Sequence, residues 1–156
     1  MRTTLRTLAV GAILVLATGT ALGADAAVGT WKLNIGKSTF SPDPAPTSQL
    51  RIYAASAQGL MLTIKTVTTD GKQTTVTSTF RDDGKSYPIS GSPDFDMIAV
   101  TRVDPLTTHS VQMKGGATVS TGVRVVSKDG KTLTFSSKGT NAAGVKFDYV
   151  WVYDRQ

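Results

Sequence analysis

Three Asp-Gly-Lys triplets, Asp70-Gly71-Lys72, Asp83-Gly84-Lys85 and Asp129-Gly130-Lys131, cut this chain into short runs rich in Thr, Val and Ser. An Asp-Gly pair between such runs is the strongest short-range hairpin signal, because the turns that match strand twist need positive φ at their central residues. All 11 acidic residues are Asp. Without Glu, and with Thr and Val abundant, the chain is poor in helix formers and rich in strand formers. Further breaks fall at Gln58-Gly59, Asp104-Pro105, Gly115-Gly116 and Ala143-Gly144. The runs between them predict strands over residues 29–35, 48–56, 60–68, 73–81, 85–90, 95–103, 108–114, 117–127, 132–138 and 145–153. The fold class is therefore all-β: an antiparallel up-and-down meander of about eight to ten strands closed into a barrel.

The N-terminus has a different character. Arg2 and Arg6 precede the uncharged apolar run Leu8–Leu16, which is too short to span a bilayer as a stable helix and has the length of a signal-peptide core. Two sites satisfy the small-x-small cleavage rule: Ala21-Leu22-Gly23 before Ala24, and Ala24-Asp25-Ala26 before Ala27. The expected organisation is a signal peptide over residues 1–26, with an alternative end at 23, and one β-barrel domain over 27–156. The expected location is periplasmic or secreted, with no stable membrane anchor after cleavage. The chain has no cysteine. A lipoprotein anchor is thereby excluded, and stability must come from packing and ladder hydrogen bonds.

Alternation suggests which faces turn inward. Leu60, Leu62 and Ile64 share one face, Val119, Thr121, Val123 and Val125 another, and Val145, Phe147, Tyr149, Trp151 and Tyr153 form the clearest apolar stripe. Gly36 to Pro46, with prolines at 42, 44 and 46, has no strand character and reads as an extended strap.

Catalytic and metal constellations are not found. His109 is the only histidine, so neither a histidine metal cluster nor a Ser-His-Asp arrangement can be assembled around more than one residue. Its position beside Val111 and Met113 predicts a partly buried strand histidine. Asp94 and Asp96 flank Phe95 and point the same way, but they lack the other oxygens of a calcium loop, and turn capping is the expected role. No cofactor is implied. The formal charge of +6 is spread over lysines that stand mostly singly in turns, and the aromatics gather among valines of the last strand. Neither is the pattern of a nucleic-acid platform. Arg102 and Arg124 each lie inside a strand rather than in a turn. Turned inward, either would pair with a carboxylate or phosphate ligand; turned outward, with a cross-strand Asp.

Gly29-Thr30-Trp31-Lys32-Leu33 at the start and Val152-Tyr153-Asp154-Arg155-Gln156 at the end resemble the calycin superfamily of lipocalins and fatty-acid-binding proteins. In that superfamily a Gly-x-Trp packs at the closed end of a β-barrel. The chain also resembles a group of small uncharacterised exported bacterial β-barrel proteins. That likeness runs through Lys37-Ser38 with Phe40, Tyr87-Pro88 with Gly91, Val126 to Leu133 and Lys138-Gly139-Thr140. The resemblance implies a calycin-like barrel with Trp31 and Trp151 as its aromatic plug. Fatty-acid-binding proteins clamp a carboxylate with Arg-x-Tyr, where this chain reads Trp151-Val152-Tyr153. The tyrosine is kept, so the implied ligand-binding set is Tyr153 with Arg102 or Arg124.

The function expected on this basis is lipocalin-like binding of a small, apolar or acidic ligand inside the barrel. The alternative is a ligand-free barrel that binds a protein or cell-envelope component through the strap Lys37–Pro46 and the turn Gly91–Asp96. No nucleophile with its base can be named for an enzyme.

Overall fold

The Asp of each triplet accepts a hydrogen bond from the backbone N–H of the Lys two residues on, at 3.3 Å for Asp70, 3.0 Å for Asp83 and 3.1 Å for Asp129. This local bond is what favours Asp in turns. A computed structural model describes residues 25–156. Apart from Asp25 and Ala26, the expected signal peptide lies outside the described residues.

The strands are β1 (Gly29–Leu33), β2 (Thr39–Ser41), β3 (Ser48–Ser56), β4 (Gly59–Val67), β5 (Gln73–Phe80), β6 (Asp83–Ser90), β7 (Met97–Asp104), β8 (Thr107–Lys114), β9 (Ala117–Val126), β10 (Thr132–Thr140) and β11 (Lys146–Arg155). They form one antiparallel sheet in which β3 to β11 follow chain order. The sheet closes where β1 pairs with both β3 and β11, Trp31 lying opposite Arg51 on one side and Arg155 on the other. All ten expected strands are present, and the meander is a closed barrel of ten strands. The strap adds a short eleventh: β2 pairs with β11, Phe40 lying opposite Tyr149.

Three expectations are corrected. Asp83-Gly84 is not a hairpin turn but opens β6, whose register with β7 shifts between Asp83 and Ser86. Gly84, at φ +76°, supplies the left-handed residue that a bulge of this kind uses. On β9 the buried residues are Ser120, Gly122, Arg124 and Val126, whereas Thr121 and Val125 are exposed and Val119 and Val123 half-buried. The inner positions lie on the polar wall of a cavity, while the branched valines fit the pleated outer surface. His109 is exposed for the same reason, since β8 buries Thr108, Ser110 and Gln112. On β11, Phe147 and Tyr153 are buried and Tyr149 and Trp151 half-buried, with Val145 exposed in the preceding turn.

The best-packed region lies at the end of the barrel where the N-terminal segment enters. Trp31, Tyr153, Leu133 and Val126 are its largest fully buried side chains. Trp31 donates its Nε1–H to the carbonyl of Ala27 at 2.7 Å, and the Arg155 guanidinium lies 4.1 Å from its ring centroid. A buried indole needs such a partner for its single donor.

Candidate functional site

Inward residues of β3 to β11 surround a cavity of about 270 Å3, close to the lower end of small-molecule sites, about 300 Å3. Its walls differ in chemistry. One is apolar, formed by Leu62, Ile64, Val76, Phe80, Ile98 and Val100. Another, on β8 to β10, carries Thr108, Ser110, Gln112 and Ser137. Three of these groups, Ser110, Gln112 and Ser137, are linked through Ser120. Gln112 donates to Ser110 Oγ at 2.9 Å and accepts from Ser120 Oγ at 2.8 Å, and Ser120 meets Ser137 at 3.1 Å. An aromatic wall of Phe135, Phe147, Tyr149 and Trp151 completes the enclosure, with Phe147 and Tyr149 stacked at 4.7 Å. At one end the cavity reaches the exposed Asp43 of the strap and the Ser92–Phe95 turn.

Arg51 projects into this space from β3 and is only 7% exposed. Its Nε and Nη1 atoms have no hydrogen-bond partner, and among the described residues no carboxylate pairs with it. Its guanidinium carbon stands 4.4 Å from the Phe135 centroid and 5.5 Å from that of Tyr153. Cation–π contacts contribute roughly 0.5–2 kcal/mol each. The effective cost of taking an ion from water is several kcal/mol. The guanidinium is left short of hydrogen-bond partners at the wall of a preformed cavity.

Arg124, also inward on β9, is 5% exposed and stands 5.0 Å from the Tyr53 ring centroid. Unlike Arg51 it has an acid: its Nη2 donates to both oxygens of Asp25, at 3.0 and 3.1 Å. Burial works against ionisation of Asp25. The charge of Arg124, the Ala27 N–H and the hydrogen bonds from Arg102 and Arg124 outweigh it and hold the carboxyl below its ordinary value. Arg102 donates to Asp25 at 2.7 Å and also to Asp82. It does not line the Arg51 cavity but a second one of about 300 Å3, together with Asp25, Arg81 and Arg124. Arg124, Phe80 and Val100 line both cavities and form the partition between them.

No family model matches the sequence, and no curated protein matches it. The fold is similar to that of zebrafish ileal bile acid-binding protein. That structure, solved in complex with cholic acid, has 11% sequence identity, is covered over 99% of its length by 84% of this chain, and gives a TM-score of 0.49.

Tyr153, expected beside an arginine, is fully buried and donates its hydroxyl proton to Gln49 Oε1. Burial pushes this phenol up to about 12, so it stays a donor at neutral pH. With that donor engaged, Tyr153 orients Gln49 and floors Arg51 with its ring. The arginine beside it is Arg51; Arg124 is held by Asp25, and Arg102 lies in the second cavity. Trp31 and Trp151 are not brought together: Trp31 is sealed at the N-terminal end, while Trp151 lines the Arg51 cavity against Phe40, 4.7 Å away. The strap is tied down by β2 pairing, by that Phe40 contact and by a hydrogen bond from the Tyr149 hydroxyl to Asp43. Asp94 accepts from the Ala142 N–H at 3.0 Å and Asp96 from that of Gly115 at 2.8 Å, so each carboxylate braces a neighbouring loop.

Arg51 was accessible to sequence reasoning only through position. It lies mid-strand, as Arg102 and Arg124 do, but Leu50 and Ile52 flank it and alternation assigns the inward face to them. In the barrel, Gln49, Arg51 and Tyr53 are buried and Leu50 and Ile52 only half-buried.

Proposed function

We propose that this is an exported binding protein for a small amphipathic ligand bearing an anionic group, held inside the barrel with its anion on Arg51. Arg51 carries the proposal: a buried guanidinium, with two nitrogens unpartnered, lines a cavity that has room for a ligand. An oxyanion there would gain charge-assisted hydrogen bonds from a planar donor fork already fixed by Phe135 and Tyr153. The apolar wall and the hydroxyl- and amide-bearing wall would take the two faces of the ligand body. Export rests on the basic, apolar and small-residue order of the first 26 residues.

The test uses two naphthalene probes of similar size, anionic 8-anilinonaphthalene-1-sulfonate and neutral N-phenyl-1-naphthylamine, titrated against wild type and Arg51→Met. The sulfonate is expected to lose about 10- to 100-fold in affinity in the variant, the range for hydrogen bonds to a charged group. The neutral probe should change less than about 3-fold. Equal affinity of wild type and variant for the sulfonate would overturn the assignment of Arg51.

A further inference from the structure

Two cleavage positions fit the sequence equally, and they differ in whether Asp25 and Ala26 remain in the exported protein. We infer that the precursor is cut between Gly23 and Ala24, so that Asp25, Ala26 and Ala27 become the opening segment of the mature barrel. This rests on the export part of the proposed function.

Each of the three residues is built into the domain. Asp25 supplies the only carboxylate that Arg124 pairs with among the described residues, and it also binds Arg102. It closes its own turn as well, its side chain accepting from the Ala27 N–H at 2.8 Å and its carbonyl from the Val28 N–H at 2.9 Å. The Ala26 carbonyl accepts from Arg155 Nη2 at 2.8 Å. Ala27 is completely buried, and its carbonyl holds the Trp31 indole.

A cut after Ala26 would reverse this electrostatic arrangement. Ala27 would begin with an α-ammonium group, charged through most of the physiological range because its pKa is about 8. That cation would replace a neutral N–H beside Arg102 and Arg124, in the same step that removes their shared carboxylate. Arg124 would be left buried with Nη2 as well as Nε unpartnered, the circumstance in which breaking an ion pair is most destabilising. A cut after Gly23 places the new ammonium ahead of Asp25 and leaves every one of these contacts intact. The far end of the barrel is then closed by the chain's own anion, and Arg51 remains a buried cation without one among the described residues.

The experiment expresses the full chain with its own leader in a bacterium, purifies it from the periplasm and determines the N-terminus by intact mass and sequencing. A mature protein starting at Ala24 is the expected result. A start at Ala27 overturns this inference while leaving export standing, whereas retained Met1 overturns export itself. Two single substitutions sharpen the reading, since the residue before the cut must be small. Ala26→Lys should leave processing and the Ala24 start unchanged, and Gly23→Lys should stop processing or divert it to Ala27. Loss of processing in Ala26→Lys with normal processing in Gly23→Lys would overturn the inference.

Discussion

Arg51 and Trp31 face each other across the β1–β3 ladder and share its inward side, yet opposite effects on stability are expected when each is replaced. Trp31 is completely buried, with its indole N–H satisfied and Arg155 over its ring. Trp31→Ala leaves a cavity that the closed end cannot refill, and a loss of about 3–5 kcal/mol is expected in urea denaturation. A loss under about 1 kcal/mol would show that the residue seals nothing. Arg51 is buried without an acid, so an apolar side chain of similar length relieves a desolvation cost instead of breaking a pair. Arg51→Met is expected to raise the stability of the ligand-free protein by about 1–4 kcal/mol, the range in which buried charges give way to packed apolar groups. Greater stability together with weaker sulfonate binding is the signature of a residue kept for recognition. Destabilisation by the same substitution would instead mark Arg51 as part of the scaffold.

At the scale of the strands, β9 and β10 approach closely because glycines stand where a side chain would collide. A Cβ on Gly139 would lie 2.2 Å from the Val119 carbonyl oxygen and 2.7 Å from Ser120 Cα, neither of which can rotate away. One on Gly122 would lie 2.7 Å from the Phe135 ring, the ring that supports Arg51. Gly122→Ala is therefore expected to cost about 1–3 kcal/mol as an overpacked site and to weaken sulfonate binding by displacing Phe135. An unchanged probe affinity would disconnect Phe135 from the anion site. The elements themselves were legible in the sequence, because turns such as Asp70-Gly71 and Asp129-Gly130 require residues that announce themselves. β2 was not, since three prolines follow it and its only ladder among the described residues is to β11. The inward faces were legible where the wall is apolar, as at Leu60, Leu62 and Ile64. They were inverted on β9, where the facing wall is polar and Val123 and Val125 stand off the inner face. A rule that sends apolar residues inward cannot find Arg51 between Leu50 and Ile52.

Among the described residues the two buried arginines are treated differently: Arg124 is neutralised at one end by Asp25, whereas Arg51 lines its cavity without a paired carboxylate. This asymmetry sets the expected response to acid. Asp25 has a folded pKa below its ordinary 3.8, so the folded state binds fewer protons than the unfolded state as pH falls. Its stabilisation is complete above about pH 5 and is lost as pH drops through 3.8 toward the lower folded value. Asp70, Asp83, Asp104, Asp129 and Asp154 are shifted the same way by their turn and side-chain hydrogen bonds. They sit in solvent, where salt screens the charge part of such interactions. Asp25 is separable from them by substitution. Asp25→Asn keeps an acceptor for the Ala27 N–H but leaves Arg124 without an anion, a loss of about 3 kcal/mol at neutral pH, the lower end for a broken buried pair. Urea denaturation of both proteins from pH 7 to pH 2.5 should show wild type more stable at neutral pH, with the gap between the two curves narrowing as pH falls below 3.8. A gap that stays constant through the acid range would mean that the Asp25 charge contributes nothing and that only the shape of its side chain matters.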